Sequence, residues 1–275
     1  MAAAPSGASA PSPEPGAAAS AGAPRGGQWD GAGESYPYPQ KRFYRQRAHA
    51  NPLSDSHYAV PRRPSEVDWA SLYPAHFPPG QSWADSPRVT VADIGCGFGG
   101  LAVELAALFP DKLVLGMEIR DKVAEFVAER AVALRAQHSN HKYTNVSALR
   151  CNSMKHLSRY FEKAQLEKVF FLFPDPHFKA ANHRRRIIQH TLLAEYAYVL
   201  REGGLLYTCT DVEELGVWMR TRLQAHPLFE ELTAEEMEAD PCVPLLVATS
   251  EEGKKVQRNE GSTYKSVFRR VRRPG

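Results

Sequence analysis

The feature that most constrains the fold is the stretch VTVADIGCGFGG at residues 89–100, a short apolar run that meets an acid and then breaks into glycines. It is followed by the helical pattern LAVELAAL at 101–108. A run of strand length before closely spaced glycines and a helix predicts a strand, a tight turn and a helix. Glycines let the backbone bend sharply, approach a ligand without a Cβ and direct free helix N–H groups at it. The stretch therefore predicts a nucleotide-binding turn, the alternative being glycines that serve packing only.

Two acids near this turn narrow the choice of ligand. Asp93 precedes the first glycine by two residues, and Glu118 ends the next apolar run, LVLGM at 113–117. A carboxylate at that second strand end can accept both hydroxyls of an adenosine ribose, which NAD and S-adenosylmethionine both carry. S-adenosylmethionine has no phosphate, and its sulfonium and amino groups are cations that Asp93 would attract. The motif DIGCGFGG therefore resembles the first motif of the Rossmann-like methyltransferases.

Composition sets broad limits on the chain. With 275 residues, 43% of them hydrophobic and 24% charged, it has room for one α/β domain plus extensions. No apolar stretch approaches the roughly 20 residues that span a bilayer, and we expect no membrane segment or secretory signal. Four scattered cysteines indicate free thiols and no zinc or other metal site. A net charge of +3 is too small to indicate a nucleic-acid partner by itself.

The N-terminal third divides into two segments before the methyltransferase-like domain, which we place at residues 88–275. Residues 1–39 are rich in Ala, Pro, Gly and Ser, which predicts a disordered extension. A mitochondrial presequence is disfavoured by its three acids and single arginine. Residues 40–87 form a basic and aromatic arm and linker, in which we expect Trp69 and Tyr73 to pack on the domain. The run KRFYRQRAH at 41–49 suits RNA contact, with a solvated basic linker and a nuclear-import signal as alternatives.

From residue 89 onward, apolar strands alternate with amphipathic helices, which predicts a parallel sheet covered on both faces. A helix from about Asp121 uses that residue as its N-cap, and a strand covers 146–150. Asn152 and Ser153 follow this strand and are candidates for the adenine edge. Asn152 could also cap the next helix, and both roles are possible at once.

The strand KVFFLF at 168–173 ends in PDPHFK. Two prolines fix the backbone on both sides of Asp175 and hold its carboxylate rigidly at the mouth of the sheet. A simple Pro-Asp-Pro turn is the alternative. Lys179 and the arginines at 184–186 follow closely, and such a cationic rim suits a phosphate-bearing substrate.

The C-terminal third continues the alternation. A helix that includes Ile187 and ends at Gly203-Gly204 is expected, then a strand at 204–210, a helix at 213–223 and a last strand at 264–271.

Five segments together resemble one family: DIGCGFGG, MEIR, FFLFPDPHFK, TLLAEYAYVLREGG and TSEEGKK, in this order. They are similar to the tRNA (guanine-N7)-methyltransferases over about residues 41–272, and the basic arm resembles the eukaryotic branch. The resemblance implies a Rossmann-like α/β fold with a mostly parallel seven-stranded sheet, an antiparallel final strand and helices on both faces. It implies methyl transfer from S-adenosylmethionine to N7 of a guanosine in the variable loop of tRNA, with internal guanosines of other RNAs as further candidates. A WD-repeat propeller subunit as heterodimer partner, and a location in the nucleus and also the cytoplasm, follow from it as well.

The same resemblance assigns candidate site residues, with Asp175 as the catalytic acid. The expected cofactor-binding residues are Gly95, Gly97, Glu118, Ile119, Arg120, Asn152, Ser153, Leu172, Ser250 and Glu252. The expected substrate-binding residues are Lys41, Arg45, His177, Lys179, Arg184 and Arg185.

Three other functions remain open at this point. DPHF is similar to the Asp-Pro-Pro-aromatic loop of enzymes that methylate exocyclic amines or protein side chains. A non-catalytic RNA-binding subunit that kept the fold is a second alternative, and an NAD-dependent dehydrogenase is the third.

Overall fold

A seven-stranded sheet with one reversed strand forms the centre of the protein. The computed structural model describes residues 37–47, 50–54, 58–249, 253, 256, 258 and 261–272, all within the compact unit Glu34–Gly275. The strands are β1 (Val89–Ile94), β2 (Leu113–Glu118), β3 (Val146–Arg150), β4 (Leu166–Leu172), β5 (Leu200–Thr210), β6 (Phe229–Glu231) and β7 (Tyr264–Arg270). Their spatial order is β3-β2-β1-β4-β5-β7-β6, and β7 is antiparallel to both of its neighbours while the other pairs are parallel. The predicted fold class is confirmed.

Helices connect the strands. They are α1 (Trp69–Leu72), α2 (Gly100–Leu108), α3 (Asp121–Gln137), α4 (Ser153–His156), α5 (His190–Val199), α6 (Glu213–Gln224), α7 (Ala234–Ala239) and α8 (Leu245–Ala248). Short 3-10 turns cover Lys41–Tyr44, Pro64–Glu66, Leu157–Arg159 and Ala180–Arg185. No helix in the described part of the chain has the length and apolar character needed to cross a membrane.

The two faces of the sheet bury separate hydrophobic clusters. Val169 and Phe171 of β4 belong to one cluster and Phe170 between them belongs to the other. Because successive side chains of a strand point to opposite faces, a continuous apolar run is what a strand covered on both sides requires. Each such large side chain contributes about 1.5–3 kcal/mol through burial. The central strand is thereby a fixed platform for the loop that leaves its C-terminal end.

The start of α2 depends on a glycine. Gly99 adopts φ +72° directly before the helix, and a Cβ built on it would lie 2.5 Å from Cγ1 of Val127 on α3. A side chain here would therefore be strained in its backbone and would collide with α3. The third glycine of the motif serves helix packing, whereas Gly95 lines the candidate site and Gly97 donates its N–H to Glu118.

Several sequence-based boundaries are wrong. α5 ends at Val199, before the expected Gly203-Gly204, and β5 begins at Leu200 because this fully buried side chain pairs with Leu166 of β4. Ile187 lies before α5. In addition, Asp121 is the first residue of α3 and Arg120 holds the cap position.

The arm supplies the missing cap of α3, since Oε1 of Gln46 accepts a hydrogen bond from the N–H of Lys122 at 3.0 Å.

Part of the N-terminal arm and linker packs into the domain core. Trp69 and Tyr73 are 4% and 0% exposed, and the Tyr73 hydroxyl donates to the Val114 carbonyl of β2 at 2.8 Å. The prediction that these aromatic residues anchor the segment is confirmed. Of the expected disordered extension 1–39, residues 1–36 lie outside the described residues.

Candidate active site

The glycine turn and Glu118 form one hydrogen-bonded unit at the C-terminal edge of β1 and β2. Gly95 and Gly97 adopt φ +73° and +53°, which glycine tolerates without strain. The Glu118 carboxylate, 3% exposed, accepts hydrogen bonds from the Gly97 N–H at 3.0 Å and from Nε and Nη2 of Arg120 at 3.1 Å each. The Gly97 N–H and the Arg120 guanidinium hold this carboxylate in place, as a ribose acceptor requires.

Asp93 is a second acid beneath the turn, 2% exposed. Burial, and after it the Glu118 carboxylate, raise its pKa to about 7, although a hydrogen bond from the Ala102 N–H opposes the shift. Its Oδ2 is buried and has no hydrogen-bond partner among the described residues. A buried acid with an unsatisfied oxygen favours a cationic ligand group nearby.

The loop after β4 carries Asp175 between two strained residues. Phe173 and His177 have φ +48° and +46°, in the left-handed region that side chains other than those of Gly, Asn and Asp rarely adopt. Such conformations cost on the order of 1–3 kcal/mol each and persist where surrounding contacts enforce them. The Phe173 N–H donates to the Cys209 carbonyl of β5 at 2.7 Å, which fixes the start of the loop.

One cavity at this edge of the sheet brings the two motifs together. Seven of the ten predicted cofactor-binding residues line it: Gly95, Glu118, Ile119, Arg120, Asn152, Ser153 and Leu172. Asp175 and two of the predicted substrate-binding residues, His177 and Arg185, line the same cavity. Gly97 contributes through its hydrogen bond to Glu118, while Ser250 and Glu252 lie outside the described residues.

Four predicted substrate-binding residues are exposed and are not part of the cavity wall. Lys41 and Arg45 lie on the arm, where the Lys41 ammonium stands 5.1 Å from the ring centre of Phe98. Lys179 and Arg184 lie on the segment that follows the Asp175 loop. Exposed cations outside a cavity suit contacts with a larger polyanion.

Arg186 corrects the predicted cationic rim. Its side chain is 1% exposed, its Nε donates to the Pro176 carbonyl at 2.8 Å, and its Nη2 binds the Glu214 carboxylate at 2.8 Å. The basic run suggested three equivalent surface arginines. The 3-10 turn Ala180–Arg185 instead directs the Arg186 side chain toward the loop that carries Asp175.

Sequence reasoning missed the wall that the arm provides. Ala50 and Pro52 line the cavity, and the Pro52 carbonyl accepts a hydrogen bond from Nδ2 of Asn152 at 2.7 Å. The Tyr58 hydroxyl accepts the Asn152 N–H at 2.6 Å. Asn152 occupies the N-cap position of α4, as the alternative interpretation expected, but its side-chain amide donates to the arm and makes no capping hydrogen bond. No local sequence signal marks this contact, since its partners are about a hundred residues apart.

Comparisons with known proteins agree with this arrangement. Residues 87–266 match the family model Methyltransf_4, described as "Putative methyltransferase". A tRNA (guanine-N(7)-)-methyltransferase of Oryza sativa subsp. indica is 58% identical over 238 residues, and one of Arabidopsis thaliana is 59% identical over 233. Each match covers 85% of this chain and 92% of the relative. A Bos taurus relative with the same name is 52% identical over 89% of this chain and 92% of its own length. On these matches, the chain belongs to the tRNA (guanine-N7)-methyltransferase family.

Proposed function

We propose that this chain transfers the methyl group of S-adenosylmethionine to N7 of a guanosine in the variable loop of tRNA. The observation that carries the proposal is that two acids line one cavity, Glu118 at the end of β2 and Asp175 on the loop after β4. Glu118 suits the ribose of S-adenosylmethionine, and Asp175 suits the guanine base. The family's named members support tRNA as the acceptor.

The residues at the glycine turn fit the donor. A Cβ built on Gly95 would have no heavy atom of the described residues within 4 Å, so the backbone there is open to a ligand. Glu118 offers two carboxylate oxygens for ribose hydroxyls, and the unsatisfied Oδ2 of Asp93 suits a cationic group. When bound, S-adenosylmethionine supplies a methyl group that N7 takes up as the carbon–sulfur bond breaks and its electrons return to sulfur.

Asp175 has the task of positioning the base. The N7 lone pair of guanine lies in the ring plane, so N7 attacks without losing a proton and the reaction requires no general base. A carboxylate can accept hydrogen bonds from the guanine N1–H and amino group, and it stabilises the positive charge that develops on the ring. Alignment of reacting atoms can contribute roughly 7–11 kcal/mol at the upper end, which explains the value of a rigid loop.

The reacting atom also restricts the shape of the substrate. In A-form RNA, N7 faces a deep and narrow groove that side chains do not enter. The target guanine therefore sits in a loop or leaves its stack. The exposed cations Lys41, Arg45, Lys179 and Arg184 hold the surrounding phosphates.

A WD-repeat propeller partner and a nuclear location are also part of the proposal. The resemblance of the basic arm at 41–49 to the eukaryotic branch supports both. A pull-down of the chain with a propeller subunit tests the first.

Nucleoside analysis tests the function. An RNA pool is incubated with the protein and S-adenosylmethionine, with and without a propeller partner, and digested for mass spectrometry. N7-methylguanosine mapped to the tRNA variable loop is the expected product, and internal sites in other RNAs would widen the substrate range. Methylation of an exocyclic amine would favour the amino-methylating alternative. Failure to bind S-adenosylmethionine in calorimetry would favour a non-catalytic subunit.

Replacement of Asp93 by Asn should change how stability depends on pH. In the unfolded chain the acid titrates near 3.8, whereas in the ligand-free fold its pKa is about 7. The folded protein binds this proton more tightly than the unfolded chain does, so protonation of Asp93 stabilises the fold. The stabilisation is complete below pH 3.8 and is lost as the pH rises through 7. Urea denaturation at pH 5 and at pH 8 gives the free energy of unfolding. From pH 5 to pH 8, this free energy should fall by on the order of 3 kcal/mol more in the wild type than in Asp93→Asn. Asp111→Asn, an exposed control, should behave as the wild type does, and equal losses in all three proteins would contradict the raised pKa.

Replacement of Lys179 and Arg184 by Ala should weaken tRNA binding and flatten its salt dependence. Both are exposed beside the Asp175 loop, and each phosphate contact adds about 0.7–0.9 to the slope of log affinity against log salt. The double variant should lose roughly 1.5 from that slope in fluorescence anisotropy with labelled tRNA. Arg220→Ala on α6 is the matched control. A slope equal to that of the wild type would remove these residues from the RNA contact.

A further inference from the structure

Arg186 is a buried arginine for which the proposed chemistry has no direct use. Its side chain is 1% exposed and is not among the residues that line the cavity described above. A guanidinium removed from water needs strong partners, because an unpaired buried charge is costly. The hydrogen-bond and stacking partners of Arg186 therefore indicate its role.

Three hydrogen bonds and one stacked ring hold the guanidinium in one orientation. Nε donates to the Pro176 carbonyl at 2.8 Å, and Nη2 donates to both carboxylate oxygens of Glu214 on α6, at 2.8 and 3.1 Å. Its central carbon lies 4.7 Å from the ring centre of Trp218, one helical turn after Glu214. The Trp218 indole N–H donates to the Ile188 carbonyl at 2.8 Å, so the stacking ring is itself fixed. The arginine thus joins α6 to the loop after β4.

Arg186 contacts the loop at Pro176, the residue directly after Asp175. The loop is tied to β5 at its start through the bond from Phe173 to Cys209, and at Pro176 through Arg186. The two left-handed residues, Phe173 and His177, stand on either side of that segment. Strained backbone of this kind relaxes when its restraints are removed. The bond at Pro176 restrains this segment from outside the sheet.

We infer that Arg186 is a positioning residue for methyl transfer: braced by Glu214 and Trp218, it holds the Pro-Asp-Pro segment so that the Asp175 carboxylate meets the base. The inference rests on the proposed function. It differs from the cationic-rim hypothesis because the arginine acts through the loop and not on RNA. Its loss should therefore lower kcat and spare both binding steps.

The test compares Arg186→Gln with the wild-type full-length chain in steady-state methylation of tRNA. We expect kcat to fall about 10- to 100-fold while KM for tRNA and for S-adenosylmethionine changes less than about threefold, as a misplaced catalytic group predicts. Arg186→Lys keeps the charge and can reach one partner but not the planar set, so it should recover part of kcat. Rates are normalised to folded protein by circular dichroism.

The matched control is Arg135→Gln. Arg135 is another buried arginine, and it donates to the carbonyls of Leu72, Tyr143 and Val146 away from the cavity. Its loss should lower the melting temperature without lowering kcat per folded molecule. If Arg186→Gln does not fold, Glu214→Ala replaces it in the test. The Glu214 side chain is 55% exposed, and its loss removes only the carboxylate that holds Arg186. A fall in kcat of at least about threefold is expected.

Three results would overturn the inference. The first is a wild-type kcat in Arg186→Gln, or in Glu214→Ala if Arg186→Gln does not fold. The second is a rise in KM for tRNA with kcat unchanged, and the third is a fall in kcat for Arg135→Gln as large as that for Arg186→Gln. If the wild type itself forms no N7-methylguanosine, it is the proposed function that fails.

Discussion

Asp175→Ala should lower kcat for methyl transfer to tRNA by about 100-fold or more and leave the affinity for S-adenosylmethionine within about threefold of the wild type. Asp175 lines the cavity from a loop with strained residues on both sides, while Glu118, the proposed ribose acceptor, lies at the end of β2. Removal of the acid therefore takes away the base-orienting group and leaves the donor pocket intact. Transfer of tritiated methyl groups gives kcat, and isothermal titration calorimetry gives the donor affinity.

Asp111→Ala is the control for this variant. Asp111 is an exposed acid directly before β2, at the opposite edge of the sheet, and its loss should change neither quantity. Turnover of Asp175→Ala within about threefold of the wild type would rule out the assigned role. A large loss of donor affinity would instead indicate that the loop collapses into the pocket.

Glu118→Ala should weaken the binding of S-adenosylmethionine by about 100-fold or more. Hydrogen bonds to a charged group contribute about 1.5–3 kcal/mol each, and the carboxylate offers two of them to the ribose hydroxyls; a tenfold change in affinity corresponds to about 1.4 kcal/mol. The variant also removes the acceptor of the Gly97 N–H and leaves the Arg120 guanidinium without its partner carboxylate, so the turn loses its own support. Calorimetry at one pH and salt concentration measures the affinity.

Glu167→Ala is the matched control, because Glu167 pairs with Lys112 and Arg201 at the start of β4, far along the strand from the cavity. It should bind the donor as the wild type does. Melting curves show whether Glu118→Ala is folded. A folded Glu118→Ala protein with wild-type donor affinity would require a different ribose acceptor.

Much of the fold was predictable from local patterns. The apolar run before the glycines, the acid that ends the second strand and the prolines around Asp175 each constrain the backbone within a few residues. Glycine and proline act through their own allowed dihedral angles, so no distant partner is needed to interpret them. The placement of Glu118 and Asp175 follows as well, because the carboxyl ends of parallel strands meet at one edge of a sheet.

Contacts between distant segments were not predictable in this way. Arg186 looks identical to Arg184 and Arg185 in the sequence, and only α6, with Glu214 and Trp218, distinguishes it by burial. The boundary between α5 and β5 was misplaced for the same reason, since the pairing of Leu200 with Leu166 outweighs the helix-ending tendency of two glycines.

The sequence by itself therefore determined the order of strands and helices, the glycine turn and the position of the proline-flanked acid at the edge of the sheet, because these depend on backbone geometry and short-range periodicity. The tertiary structure alone decided that the arm walls the cavity through Pro52 and that one arginine of a basic run supports the loop from beneath. Both depend on which surfaces exclude water from each other, and that exclusion is a property of the assembled chain.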